Sequence, residues 1–363
     1  MPSPSVDRGS LVPGVPAGAL TAQAVEGHRG VALDGRGRRT RSMRPVGSEQ
    51  LRLLAKVARM YHERGMRQPL IARELNISQP RVSRLLKQAS DIGIVRTTVA
   101  LPSGVYIDLE EKVQDRYGLR DVVVVDVGGT SGDVTAALGA AAAAYLDVTL
   151  TGGDVIGISS WSATLLATVD AMQAKNSAVV EHVVQIVGGV GNADVQLHAT
   201  RLTGRLADLT GARAVFMPAP GLVSSPTVRR AILQDDAVVA VAALWESLTL
   251  ALVGIGSLEP SPLLRQSGNA ITEEEQDELR YLGAVGDVCL RFFDATGDLV
   301  RSRFDKRVVG ITPAQLRNID RRIGVAGGDA KFTAIRGALL GGWVNVLITD
   351  LDTATRLAEE PPV

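Results

Sequence analysis

Cysteine is almost missing from this chain of 363 residues: Cys289 stands alone. An internal disulfide framework and a Cys-rich zinc site are therefore both excluded. Aromatic residues make up only 4%, against 45% hydrophobic residues overall, so any core must be built mainly from Val, Leu, Ile and Ala. No apolar run reaches the roughly 18 residues that a membrane-spanning helix needs; the Ala-rich run from Ala136 to Leu150 is broken by Asp147. The N-terminus lacks an apolar signal core with basic flanks, which makes the cytoplasm the expected compartment, with no membrane partner. Histidine is scarce. His28 falls in the tail, His62 in the basic N-terminal part, His182 before an apolar run and His198 in or near a helical stretch. None has metal-ligand spacing, and no Gly-x-Ser-x-Gly elbow occurs. No metal and no cofactor are expected.

What is present is unevenly distributed. The formal net charge is zero, yet residues 43–100 carry 11 Arg/Lys against 4 Asp/Glu, a net of +7. Residues 1–42 add +3, which leaves −10 on residues 101–363. A basic module on an acidic body implies a polyanionic partner for that module alone. Residues 1–42 are rich in Gly, Pro, Ser and Arg without periodicity and read as a disordered extension, and Met43 is an alternative start.

Helical spacing begins near residue 48. Leu51, Leu54, Ala55, Ala58 and Met60–Tyr61 form one face, and Gly65 is a terminator. The stretch "QPLIARELNISQPRVSRLLKQAS" reads as two short helices around an Asn76-Ile77-Ser78 turn. Ser78 suits an N-cap and Pro80 a first turn, where a missing N–H costs nothing. With Val82, Leu85 and Leu86 inward, Gln79, Arg81, Ser83, Arg84 and Lys87 face outward. An α-helix fits the major groove of duplex DNA. Gln79, Arg81 and Arg84 are candidates for base edges, and Arg73 and Lys87, with Ser78 and Ser83, for the remaining contacts. The alternative is a solvated face of a small helical bundle. Residues 94–99 are β-rich and suit a wing. A linker helix is expected over 101–120.

From Asp121 onward, apolar runs (122–125, 155–158, 183–187, 214–217, 250–255, 324–326, 346–349) alternate with helical stretches (133–146, 164–173, 227–234, 273–282, 331–340). That alternation predicts a Rossmann-like α/β domain over 121–363, with a mostly parallel sheet and ligands beyond the carboxyl ends of its strands.

Three loops there suit an anionic carbohydrate. In "GISSWSATLL", Ser160, Ser162 and Thr164 surround a helix start, whose free N–H groups favour a phosphate. In "QIVGGVGN", Gly188 and Gly189 permit close backbone approach, and Gln185 and Asn192 offer bonds to hydroxyls. In "VAGGDAKFTAIRGAL", Lys331 brings a cation to a helix start, where an anionic partner is its natural reason. Asp287, in "GDVCLRFFD", is a further hydroxyl acceptor, and Gly256-Ser257 a weaker loop. For each, a turn, cap or solvated side chain is the plainer alternative.

The segments "LIARELNISQPRVSRLLKQASDIGIV", "QIVGGVGN", "ALVGIGS" and "GGDAKFTAIRGALLGGWVNVLITD", in this order, resemble the SorC family of sugar-responsive transcriptional regulators from about residue 48 to 359. The resemblance implies a small N-terminal helix-turn-helix domain (43–100) that binds double-stranded operator DNA. It also implies an effector-binding and oligomerisation domain (121–363) similar in fold to ribose-phosphate isomerases and glucosamine-phosphate deaminases. Members take a phosphorylated sugar or related carbohydrate and assemble as homodimers or homotetramers. By the same resemblance Lys331 contacts the ligand, whereas the glycine usual near Ser162 is missing here. A rival resemblance attaches to "VVVVDVGGT" at Val122–Thr130, which is similar to the phosphate loop of ROK sugar kinases and repressors. A single cysteine cannot supply the zinc motif of that family, and "SGDVTAALGAAAAAYL" favours a helix over the second strand of its hairpin. The competing class is an enzyme with a DNA-binding head, either a ROK-like sugar kinase or a sugar-phosphate isomerase. The bland reading is a binding module that does neither.

Overall fold

In the computed structural model, residues 48–95, 104–128, 133–175, 178–190, 192–267 and 271–360 are described. The expected extension over 1–42 and the wing strand from residue 96 on lie outside them. The chain divides into two compact units, one ending at Val99 and one beginning at Ala100.

The first unit contains α1 (Ser48–His62), α2 (Gln68–Glu74) and α3 (Gln79–Asp91). Leu54, Val57, Ile71, Val82 and Ala89 are fully buried between them, together with Leu85 and Leu86. Each large aliphatic buried in this way contributes roughly 1.5–3 kcal/mol. Asn76 turns the chain between α2 and α3 at φ 51°, a left-handed conformation that asparagine tolerates, and the Ile77 N–H closes back on the Ala72 carbonyl at 2.9 Å. Ser78 is the N-cap of α3 by backbone position, but its side chain makes no capping bond. Leu51 and Tyr61, expected inward, are exposed at the rim.

The second unit is an α/β layer structure. Its strands are β1 (Asp121–Val125), β2 (Asp154–Ile158), β3 (Val180–Gln185), β4 (Arg213–Val215), β5 (Leu250–Gly254), β6 (Gly256–Ser257), β7 (Ala284–Val288), β8 (Arg291–Asp294), β9 (Arg321–Val325) and β10 (Val346–Asp350). Seven of them form an all-parallel sheet in the order β1-β10-β9-β5-β2-β3-β4. The helices are α4 (Ile107–Tyr117), α5 (Val134–Thr149), α6 (Ala163–Ala171), α7 (Ala193–Thr210), α8 (Pro226–Ile232), α9 (Asp236–Ala243), α10 (Pro262–Gln266), α11 (Glu273–Tyr281), α12 (Pro313–Asn318), α13 (Phe332–Leu340) and α14 (Leu351–Glu359).

Strand side chains alternate between two core layers, as a period of two requires. Ile156, Ile158, Leu250, Leu252, Val346 and Ile348 pack with residues of α5, α6 and α7. Val122, Ala251, Val253 and Leu347 pack on the opposite face with residues of α4, α13 and α14. The helix within the expected linker thus belongs to the body: Val113 of α4 is fully buried in that second layer.

β6, β7 and β8 form a separate antiparallel sheet that the alternating pattern does not predict. β7 and β8 are joined by Cys289-Leu290, both with positive φ (54° and 62°). Such a two-residue hairpin normally selects Asn-Gly; here two buried side chains occupy it.

The start of the unit decides between the two resemblances. After β1, Asp126 accepts the Gly128 N–H (2.9 Å) and the Tyr106 hydroxyl (2.8 Å), so its carboxylate is occupied by its own chain. The next element is a helix: Asp133 caps α5 by accepting from the N–H groups of Thr135 (2.9 Å) and Ala136 (3.2 Å). Gly129 and Thr130 of the candidate loop lie outside the described residues, but the element that follows is a helix and not the second strand of a ROK-type hairpin.

Candidate functional site

On the first unit, Arg73, Ser78, Gln79, Arg81, Ser83, Arg84 and Lys87 are all exposed. Arg81, Arg84 and Lys87 recur every three residues along α3, opposite the buried Val82, Leu85, Leu86 and Ala89. None of the four cations forms an ion pair with a described residue, and the Arg84 Nε donates only to the Pro80 carbonyl at 3.4 Å. An unpaired cationic stripe on the second helix of a helix-turn-helix has the chemistry of a phosphate and base-edge reader.

On the second unit, a cavity of about 430 Å³ opens beyond the carboxyl ends of β2, β5 and β9. These strands are neighbours in the sheet, but their chains depart in opposite directions. β2 leads through α6 to β3 on one side, and β9 leads through α13 to β10 on the other face and the other side. A crevice at such a switch point is where parallel α/β sheets bind ligands.

After β2, Ser159, Ser160, Trp161, Ser162 and Thr164 line the cavity. Ser162 caps α6, its Oγ accepting the Leu165 N–H at 3.3 Å. The N–H groups of the first helical turn have no partner one turn earlier, and their chemistry suits an anion. This loop is tied from behind: the Ser160 hydroxyl donates to the Val187 carbonyl (3.1 Å) and the Trp161 Nε1 to the Gly188 carbonyl (3.3 Å). After β5, Gly254 and Gly256 clear space for what faces them. A Cβ at 254 would lie 2.8 Å from the Ser162 Oγ.

Lys331 follows β9 through Gly327-Gly328, which wraps around Asp350; the Gly328 N–H donates to that carboxylate at 2.7 Å. Asp329 pairs with Arg356, whose guanidinium lies 3.8 Å from the Phe332 ring centroid. The loop is thereby anchored at both ends while Lys331 lines the cavity. Asp287, on β7, faces the same space, and its Oδ2 accepts the Leu290 N–H at 2.9 Å. Burial pushes the Asp287 pKa up to about 6, against the opposing pull of the Leu290 N–H and Lys331. Burial lowers that of Lys331, and Asp287 raises it. Burial likewise raises that of Cys289, which keeps this lining thiol protonated and unreactive.

Five expected effector residues therefore meet in one cavity: Ser160, Ser162, Thr164, Asp287 and Lys331. The other four do not line it. Gln185 is buried; its Nε2 donates to the Thr203 hydroxyl (3.2 Å) and its Oε1 accepts the Met217 N–H (2.9 Å). Gly188 is pressed on backbone, since a Cβ there would stand 2.3 Å from the Pro220 carbonyl, and Gly189 packs on the Gln185 amide. Asn192 donates to the Gln266 carbonyl at 3.0 Å. Of this segment Val187 lines the cavity, while Gln185, Gly188, Gly189 and Asn192 make contacts within the protein. Ser257, of the weaker Gly256-Ser257 candidate, also lines the cavity, and so do Thr135, Leu264, Ile271 and Phe292, which had not been singled out. Phe292 lies five residues from Asp287 on β8, which shows no alternation, whereas Thr135, near the start of α5, and Leu264, on α10, carry no local signal in the sequence. Among the described residues no group of three His, Cys, Asp or Glu is placed to hold a metal, and no helix is long and apolar enough to cross a membrane.

Residues 104–359 match the family model described as "Putative sugar-binding domain". The sorbitol operon regulator of Klebsiella pneumoniae is 33% identical over 315 residues, 85% of this chain and 98% of that protein. The deoxyribonucleoside regulator of Bacillus subtilis is 33% identical, over 86% and 99% respectively. The full-length structure of the Klebsiella regulator superposes with a TM-score of 0.65 at 32% identity, covering 86% of this chain and all of that one. The chain belongs to the SorC family. Both curated relatives are named as regulators, and the similarity to the full-length SorC structure extends beyond the sugar-binding domain into the helical unit.

Proposed function

We propose that this SorC-family chain is a DNA-binding transcriptional regulator whose operator affinity is set by a phosphorylated sugar or a related carbohydrate. The observation that carries this reading is the meeting of Ser160, Ser162, Thr164, Asp287 and Lys331 in one cavity of about 430 Å³ at the sheet's switch point. The phosphate sits on the first turn of α6 among the serine and threonine hydroxyls, with Lys331 as counter-charge. Asp287, one carboxylate oxygen of which already accepts from Leu290, takes a sugar hydroxyl with the other. The apolar wall of Trp161, Leu264 and Phe292 packs on the carbon skeleton.

On the first unit, Gln79, Arg81 and Arg84 read base edges, while Arg73, Ser78, Ser83 and Lys87 hold phosphates. Two copies of the chain present two α3 helices to half-sites one helical turn apart. The ligand acts by binding more tightly to one of two arrangements of the assembly. The cavity has no histidine and its thiol is protonated, which favours sensing over turnover.

The test is a thermal-shift screen of sugar phosphates on the full chain, followed by an operator shift assay with and without each hit. A sugar phosphate that raises the melting temperature and changes operator affinity supports the proposal. Stabilisation without any change in DNA binding, or conversion of the sugar at an enzymatic rate, overturns it.

A further inference from the structure

A second cleft of about 480 Å³ lies elsewhere on the same unit, between α8, α12 and the 3₁₀ turn Asp305–Arg307. It is lined by Arg229, Arg230, Arg291 and Lys306, with Asp305 as the sole carboxylate. That carboxylate is already committed. Arg291, almost fully buried, donates to the Asp305 Oδ1 at 2.7 Å and spends its other nitrogens on the carbonyls of Gly310 and Ile311. Arg229 is held in place by one bond, from its Nε to the Val308 carbonyl at 2.7 Å, which leaves its two terminal nitrogens for the cleft. Arg229, Arg230 and Lys306 form no ion pair with any described residue. Burial, and then the like charge of Arg291, lower the Arg229 pKa.

A concentration of positive charge here runs against the composition of the body, which carries a net −10 over residues 101–363. Several other arginines of this unit are paired with carboxylates: Arg120 with Asp320, Arg201 with Asp170, Arg265 with Glu259, Arg307 with Glu275. Lys306 also borders the adjoining cleft of Glu274, Glu275 and Glu278, but Arg229 and Arg230 line only the first cleft, whose one carboxylate is already neutralised, and that leaves it short of an anion. The planar fork of a guanidinium matches the oxygens of phosphate, and a lysine adds a movable point charge.

We infer that this cleft is a second ligand site, distinct from the effector cavity, for a small molecule bearing two or more phosphate charges. Arg229, fixed through its Nε, forms the floor of the site, and Arg230 and Lys306 close on the ligand from its exposed rim.

Inorganic pyrophosphate is the probe, titrated calorimetrically into the full chain against chloride at matched ionic strength. Saturable binding is expected, unchanged in Lys331→Ala and at least tenfold weaker in Arg230→Ala/Lys306→Ala. Both rim side chains are exposed, so the double variant should melt at the wild-type temperature without ligand. If it does not, the single variants Arg230→Gln and Lys306→Gln, each several-fold weaker, take its place. Binding lost in Lys331→Ala but kept in the rim variants would assign the anion to the effector cavity and overturn the inference. So would the absence of saturation above the chloride control. A change in sedimentation of the rim variants without any pyrophosphate binding would also overturn it, since the cations would then serve the acidic side chains of a second copy.

Discussion

A Cβ atom built on Gly256 would stand 2.0 Å from the Oδ1 of Asp287, so the carboxylate occupies the space that any side chain at 256 would need. Gly256→Ala must therefore displace Asp287 or its own strand. The expected cost is roughly 1–3 kcal/mol of stability, as for other overpacked sites. Loss of the effector-induced thermal shift should accompany it. Thermal melts with and without a sugar phosphate check both; an unaltered shift would mean that Asp287 makes no contact with the ligand.

Arg81 and Arg84 are exposed and serve no packing role. Alanine at either is expected to leave the melting temperature within a degree or two while costing roughly 1–3 kcal/mol of operator affinity if the side chain grips a base bidentately. Lys87→Ala should instead weaken all DNA sequences alike and reduce the salt slope by about one. Competition against non-operator DNA over a salt series separates the two behaviours.

Lys331→Met removes the cavity's cation but keeps most of its volume. Operator binding in the absence of effector should be unchanged, and the response to a phosphorylated sugar should be lost. A response with wild-type midpoint in the shift assay would remove Lys331 from the site.

Asp287 also sets a pH dependence. Its folded pKa is raised from an ordinary 3.8 to about 6. The stability linked to this proton is fully present below about pH 4 and is lost as pH rises through 6. Asp287→Asn should flatten the ligand-free melting temperature across that window, and an unchanged slope would place the titration elsewhere.

Gln185→Leu tests whether the second loop takes part in effector binding. It leaves the buried Met217 N–H and the Thr203 hydroxyl short of a partner, for an expected cost of roughly 1–3 kcal/mol. Effector affinity, measured well below the new melting temperature, should stay within a few-fold of wild type.

The helix-turn-helix was legible because each of its signals is local. A buried 3–4 spacing, Asn76 in the turn and Pro80 in the first turn act within a few residues of one another. The main sheet was legible for the same reason, since buried parallel strands announce themselves as apolar runs. Of the long helix α7 only a helical stretch around His198 was legible, its polar and apolar residues being mixed with small ones. The hairpin β7–β8 was missed because Cys289-Leu290 contradicts turn chemistry. Lys331 and the Ser160–Thr164 loop, read from residue type at a helix start, and Asp287, read from its carboxylate, do line one cavity. Gln185, Gly188, Gly189 and Asn192 looked equally suitable. Only tertiary contacts reveal that their polar groups and missing side chains are taken up within the protein itself.

The parallel sheet also imposes a timetable. β9 is inserted between β5 and β10, and Lys331 follows it, whereas Ser160 and Ser162 lie some 170 residues earlier. During synthesis, the α3 helix and its cationic stripe are complete long before any part of the effector cavity closes. On the proposed function, the surface offered to DNA is thus made well before the cavity offered to the effector, and control comes only with the finished chain.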